Sequence, residues 1–171
     1  MAFVMNPGQV PKFSILDING KQAYEGNEYS FTTNQTVSGT SETALLLFTN
    51  PTTNASNINK ALFLYKRQLA SVTSGTTAII NFYSAPTITV NGAAQTSVNK
   101  RLAGAASSMN VYLSPTISAN GTLIDSVVVG SLAQAEKADL IIVDPGLSVL
   151  MTATVSVGSS KVIVRNLWLE I

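Results

Sequence analysis

Hydrophobic and polar positions alternate along most of this chain. In "SVLMTATVSV" (148–157), Val149, Met151, Ala153, Val155 and Val157 fall on one face. Leu150, Thr152, Thr154 and Ser156 fall on the other. A period of two is strand geometry, because successive side chains leave a strand on opposite sides. The same reading predicts strands over "KALFLYKRQLA" (60–70), "TAIINFYSA" (77–85), "TLIDSVVVG" (122–130) and "KVIVRNLWLEI" (161–171). Shorter runs, "ALLLFTN" (44–50), "TITV" (87–90), "SVNKRLA" (97–103), "MNVYLSP" (109–115) and "DLIIVD" (139–144), fill the intervals.

The breaks between these runs carry turn chemistry. Asn91-Gly92 and Asn120-Gly121 are hairpin signals. In Asp144-Pro145-Gly146 the proline fixes φ at one central turn position and the glycine supplies a positive φ at the next. That explains the motif as a turn rather than an acidic site. Gly158-Ser159-Ser160 is expected to close a hairpin between the last two strands. One segment, "SLAQAEKADL" (131–140), has helical propensity but is short enough to be a single turn or a loop. No strong repeat stands out. About eight strands at roughly 8–12-residue spacing predict an all-β fold, a jelly-roll β-sandwich. An immunoglobulin-like sandwich fits less well, since its Cys-Trp-Cys pattern is missing.

The N-terminal stretch breaks the pattern. Residues 1–40 are rich in Pro, Gly, Thr and Ser and hold short apolar patches. They are expected to form an extended N-terminal arm with one or two short strands, and residues 41–171 the sandwich domain. The arm's apolar residues Phe3, Phe13, Ile15, Tyr24, Tyr29 and Phe31 are the expected docking contacts to its own domain or to a partner.

Composition narrows the chemistry. Charged residues make up 11% of the 171 residues and hydrophobic ones 46%, against roughly a quarter charged in an ordinary domain. The polar surface must come from Thr, Ser, Asn and Gln, and self-repulsion is low. Net charge is +1. Lys66-Arg67 and Lys100-Arg101 are isolated pairs, too few for direct nucleic-acid binding. The N-terminus lacks a basic region followed by an apolar run, and no apolar run approaches the roughly 18 residues of a membrane span. A soluble chain without membrane contact is expected.

The chain has neither histidine nor cysteine. The commonest general base, the thiolate nucleophile and the usual transition-metal ligands are therefore absent. Nine acids remain, but none is spaced as a calcium loop, and a glycosidase would need two carboxyls facing across a cleft. The chain is read as non-enzymatic, with no catalytic residue, no metal site and no cofactor. Tyr65, Tyr83, Tyr112 and Trp168 could supply an aromatic platform for a sugar. Their plainer reading is core or subunit contact.

"YLSPTISANGTLI", followed by "DLIIVDPGLSVLMTATVSVGSSKVIVRNLWLEI", resembles the small β-sandwich virion proteins of tailed bacteriophages. The shared outline is Ser114-Pro115, Asn120-Gly121-Thr122, Pro145-Gly146, the strand opened by Ser148, and Trp168-Leu169-Glu170. "SETALLLFTNP" (41–51) with "KALFLYKRQLA" looks like the first strands of the same group. The resemblance spans roughly residues 41–171. It implies jelly-roll subunits, often homotrimers, on the outer capsid surface or on tail and fibre parts. A bacteriophage capsid decoration (cementing) protein is the expectation, a structural protein made in the host cytoplasm with the major capsid protein as partner. A tail, fibre or head-spike module recognising a host-surface carbohydrate is the alternative.

Overall fold

The computed structural model describes residues 25–52, 62–71, 75–130, 134–137, 140–156 and 158–170. Its elements are β1 (Glu28–Ser38), β2 (Thr43–Thr49), β3 (Leu62–Ser71), β4 (Ala78–Ser84), β5 (Thr87–Val90), β6 (Ala93–Gln95) and β7 (Val98–Asn99). There follow β8 (Asn110–Leu113), β9 (Thr116–Ala119), β10 (Thr122–Val129), β11 (Gln134–Lys137), β12 (Ile141–Val143), β13 (Ser148–Val155) and β14 (Ser159–Glu170).

Two six-stranded antiparallel sheets pack face to face. Sheet I runs β11-β3-β14-β1-β7, with β12 also on β3; sheet II runs β10-β4-β13-β2-β8-β6. Setting aside β5 to β9, consecutive strands trace two interlocked Greek keys. Sheet I then holds β1, β14, β3 and β11/β12, and sheet II holds β2, β13, β4 and β10. That order is the jelly roll. Residues 85–121 are an insertion between β4 and β10. They widen both sheets and add a separate two-stranded ribbon, β5 with β9.

The core lies between the sheets. Leu46, Phe48, Ile80, Phe82, Met151, Val162, Val164 and Trp168 all belong to it. Trp168 has no exposed surface; its ring stacks on Tyr29 at 6.0 Å and meets Phe48 edge-on at 6.1 Å. Each large side chain buried here contributes roughly 1.5–3 kcal/mol.

Three expectations change. Residues 28–38 are not part of an arm. β1 pairs along its whole length with β14, from Glu28 opposite Leu169 to Ser38 opposite Ser159. Its alternation turns Tyr29, Phe31 and Val37 into the core, so the sandwich begins at β1 rather than at residue 41. Within the helix candidate 131–140, Gln134–Lys137 is a strand paired with Arg67–Ala70 of β3. Tertiary pairing here overrides helix propensity. Finally, the glycine turns join sheets rather than hairpins. Gly158 lies between β13 of sheet II and β14 of sheet I. Asp144-Pro145-Gly146 leads from β12 of sheet I to β13 of sheet II, and it is the turn its residues predict: Gly146 has φ +83° and the Leu147 amide donates to the Asp144 carbonyl at 3.0 Å.

Candidate functional site

Of the expected docking residues, Phe3, Phe13, Ile15 and Tyr24 lie outside the described residues. Tyr29 and Phe31 are brought together in the core, 3% and 8% exposed, and are unavailable to a partner. The aromatic platform is dispersed too. Trp168 is enclosed, and the side chain of Tyr65 lies outside what is described. Tyr83 and Tyr112 are half-buried and share the outer face of sheet II.

That face has an internal symmetry, which the folded chain makes visible. Asn81, Tyr83, Pro86, Thr87, Ile88, Asn91 and Gly92 recur at one constant spacing as Asn110, Tyr112, Pro115, Thr116, Ile117, Asn120 and Gly121. The ribbon register obeys a twofold axis between Ile88 and Ile117. These two residues pair with each other, and Thr87 opposite Ala119 is matched by Thr116 opposite Val90. The axis continues through sheet II. One row across it reads Leu123, Tyr83, Leu150, Leu47, Tyr112, Ala94. The motif therefore maps β4-β5-β6 onto β8-β9-β10, and β13 onto β2. Leu47 and Leu150 meet at the axis and are almost fully buried, 1% and 0% exposed, although outside the core cluster.

The two units clasp one another. Ala85 and Ser114, the residues before the two prolines, both take left-handed backbone, φ 50° and 49°. Gly92 (φ +91°) packs on the second corner: a Cβ there would lie 2.1 Å from the Leu113 carbonyl oxygen. Gly121 (φ +93°) packs on the first corner, where a Cβ would lie 2.1 Å from the Ser84 carbonyl oxygen. Only glycine satisfies both the dihedral and the close approach. The Asn-Gly pairs are thus crossing points between units rather than the expected hairpin turns.

One half of this face closes on a carboxylate. Glu42, just before β2, accepts hydrogen bonds at Oε1 from Asn81 Nδ2 (2.8 Å), Tyr83 OH (2.8 Å) and Thr152 Oγ1, and at Oε2 from Asn120 Nδ2 (2.6 Å). Ser126 Oγ steadies Asn81 by donating to its Oδ1 at 2.7 Å. Burial alone would raise the Glu42 carboxyl, but the bonds from Asn81, Thr152, Tyr83 and Asn120 outweigh it and hold it below its ordinary value. Burial, and then the bond to Glu42 and its charge, push the Tyr83 phenol up. Among the described residues the donors are all neutral and no second carboxylate takes part, so the cluster has the form of a latch. It joins the residue before β2 to β4, β13 and the turn after β9.

The other half presents the same donors without the acid. Tyr112 answers to Tyr83, Asn110 to Asn81 and Asn91 to Asn120. Thr49 stands beside Asn110 as Thr152 stands beside Asn81. Asn110 and Tyr112 line a cleft of about 180 Å³ together with Gln95, Thr96, Ser97 and Ser107. No charged residue lines it among the described residues.

A second carboxylate, this one buried, organises the insertion's return path. Glu170, 1% exposed, accepts from the Ser108 amide at 2.9 Å, the Met109 amide at 3.4 Å, Trp168 Nε1 at 3.3 Å and Ser107 Oγ at 2.5 Å. It fastens the 107–109 segment to the end of β14. Burial, and next the charge of Glu170, raise the Tyr29 phenol. Among the described residues no three acids gather as a metal-binding group.

No protein-family model matches the chain, and no curated protein matches it. Among solved structures, the chain overlaps the infectious bursal disease virus Gt strain at 10% identity and a TM-score of 0.20, covering 100% of this chain and 46% of that one. A T13 particle of the same virus overlaps at 10% identity and 0.19, covering 85% and 40%. The Gx strain overlaps at 10% identity and 0.14, covering 99% and 45%. The chain thus spans less than half the length of each. At these scores the overlaps identify neither fold nor role.

Proposed function

We propose that this chain is a non-enzymatic structural protein of a virion. Within that class it is a capsid decoration protein that binds the major capsid protein on the outer head surface, as a homotrimer, and reinforces the shell. The observation that carries this reading is the double Greek key, an architecture of viral capsid and lectin domains, in a chain without histidine or cysteine. The low charge supports it, since long-lived interfaces are larger and more apolar than transient ones. The apolar residues left as arm contacts are Phe3, Phe13, Ile15 and Tyr24.

The test is binding to purified heads that lack the protein, followed by electron microscopy. The full chain is expected to coat them. A chain without residues 1–24 is expected to keep a folded sandwich, because β1 remains, and to lose coating. Equal coating by both would remove the arm from the mechanism. Failure of the full chain to bind heads would overturn the decoration role.

A second reading, recognition of a host-surface carbohydrate, draws on Tyr112, which walls a polar cleft with Gln95, Thr96 and Asn110. A glycan array run with the native chain and with Tyr112→Ala distinguishes it: saturable binding abolished by the substitution favours recognition over reinforcement.

A further inference from the structure

From the symmetry of sheet II we infer that the half-site around Tyr112 binds a carboxylate from outside this chain, supplied by an acidic side chain of a partner protein. This goes beyond the decoration reading and does not depend on it. The molecule holds its own template. Around Glu42, an asparagine on β4, a tyrosine two residues on, and an asparagine from the other repeat converge on one carboxylate at 2.6–2.8 Å. The twofold places Asn110, Tyr112 and Asn91 in the equivalent positions.

The difference between the halves lies in what answers these donors. None of Asn91, Asn110 and Tyr112 makes a side-chain hydrogen bond within the described residues. Asn91 and Asn110 are exposed and Tyr112 half-buried, so all three are open to a partner. Thr49, the counterpart of Thr152, shares a hydrogen bond with Ser148 Oγ at 3.0 Å, so three of the four counterpart side chains are without a hydrogen bond within the described residues. Amide and phenol donors without a fixed cation favour an anionic acceptor of carboxylate size, since hydrogen bonds to an ionised acceptor are about twice as strong as neutral ones. A phosphate would call for Arg or Lys, and no strand of sheet II carries either.

The test follows the side-chain amide signals of Asn91 and Asn110 by NMR while sodium acetate is titrated against sodium chloride at equal ionic strength. Glu42→Ala serves as the internal control, because it opens the first half-site to the same probe. Saturable shifts at Asn91 and Asn110 in the native chain are expected. Tyr112→Phe should weaken acetate binding about tenfold, the loss of one hydrogen bond to a charged group. The Asn81 and Asn120 amides should respond only in the Glu42→Ala protein. Shifts at Asn91 and Asn110 no larger than with chloride overturn the proposal, whatever the control does. A blocked glutamate (N-acetyl, N′-methylamide) and methyl glucuronide then compare the sources. Tighter binding of the glutamate supports a protein partner, and tighter binding of the uronate overturns that choice.

Discussion

The two halves of the outer face of sheet II share a motif, a backbone path and a register, yet they end in different states. Around Tyr83 the face is finished by the chain itself, with Glu42 inserted among four donors. Around Tyr112 the same donor types stand in the same places with no acid from the described chain. Backbone symmetry is therefore held by the glycines and corners, while side-chain completion depends on which residue the flanking loop delivers. Fold and site are separable here, because different atoms enforce them.

The largest effect should come from the elements that hold the symmetry. Gly92→Ala and Gly121→Ala each force a left-handed φ on alanine and drive its Cβ into a carbonyl oxygen. Each is expected to cost about 3 kcal/mol or more, a fall in Tm of roughly 6–12 °C, and the two should match closely in chemical denaturation. A silent Gly92→Ala beside a damaging Gly121→Ala would confine the symmetry to sequence alone.

Next in size is Glu42→Gln, expected to cost about 1–2 kcal/mol at neutral pH through weakened charge-assisted bonds, with exposure limiting the loss. Its pH dependence has a definite sign. The folded carboxyl is held low, so its contribution is complete above the unfolded glutamate value of about 4.3. It is lost as pH falls through the lower folded value. The native and Gln curves should therefore converge in acid, and denaturation at a series of pH values would check this. The smallest effects compare the tyrosines directly: Tyr83→Phe should cost about 0.5–1.5 kcal/mol, and Tyr112→Phe should fall within about 0.5 kcal/mol of the native chain. Equal losses would mean that the second half-site is already filled from within.

Much of the sandwich is legible in the sequence. The alternation of β13 and the Asp-Pro-Gly turn appear in the fold as their residues dictate. β1 was readable in principle, since Tyr29, Phe31 and Val37 keep the period of two. Its outward Thr, Asn and Ser residues gave it the composition of a tail, and composition averages over faces. β11 shows the opposite failure: Gln-Ala-Glu-Lys favours a helix locally, and only the distant strand β3 decides otherwise. The repeat was hidden because its identities fall on corners and on one strand face, with non-identical residues between. Glu42 gave no signal at all, since a single acid among threonines and serines acquires its meaning only when Asn81, Tyr83, Asn120 and Thr152 converge on it.

The pairing of β1 with β14 has a consequence for how the protein is made. The earliest described strand sits in the interior of sheet I, and its longest ladder is with the last one. A chain emerging from the ribosome can join β4 to β10 as soon as both are out, but it must keep β1 unpaired along that edge until β14 is synthesised. Such long-range closure slows folding and leaves strand edges exposed meanwhile. Low production temperature and chaperone supply should therefore govern yield more than the final stability does. Shortening the chain within β14 would remove at once the strand that β1 and β3 share, leaving β1 only its short contact with β7 and β3 only β11 and β12.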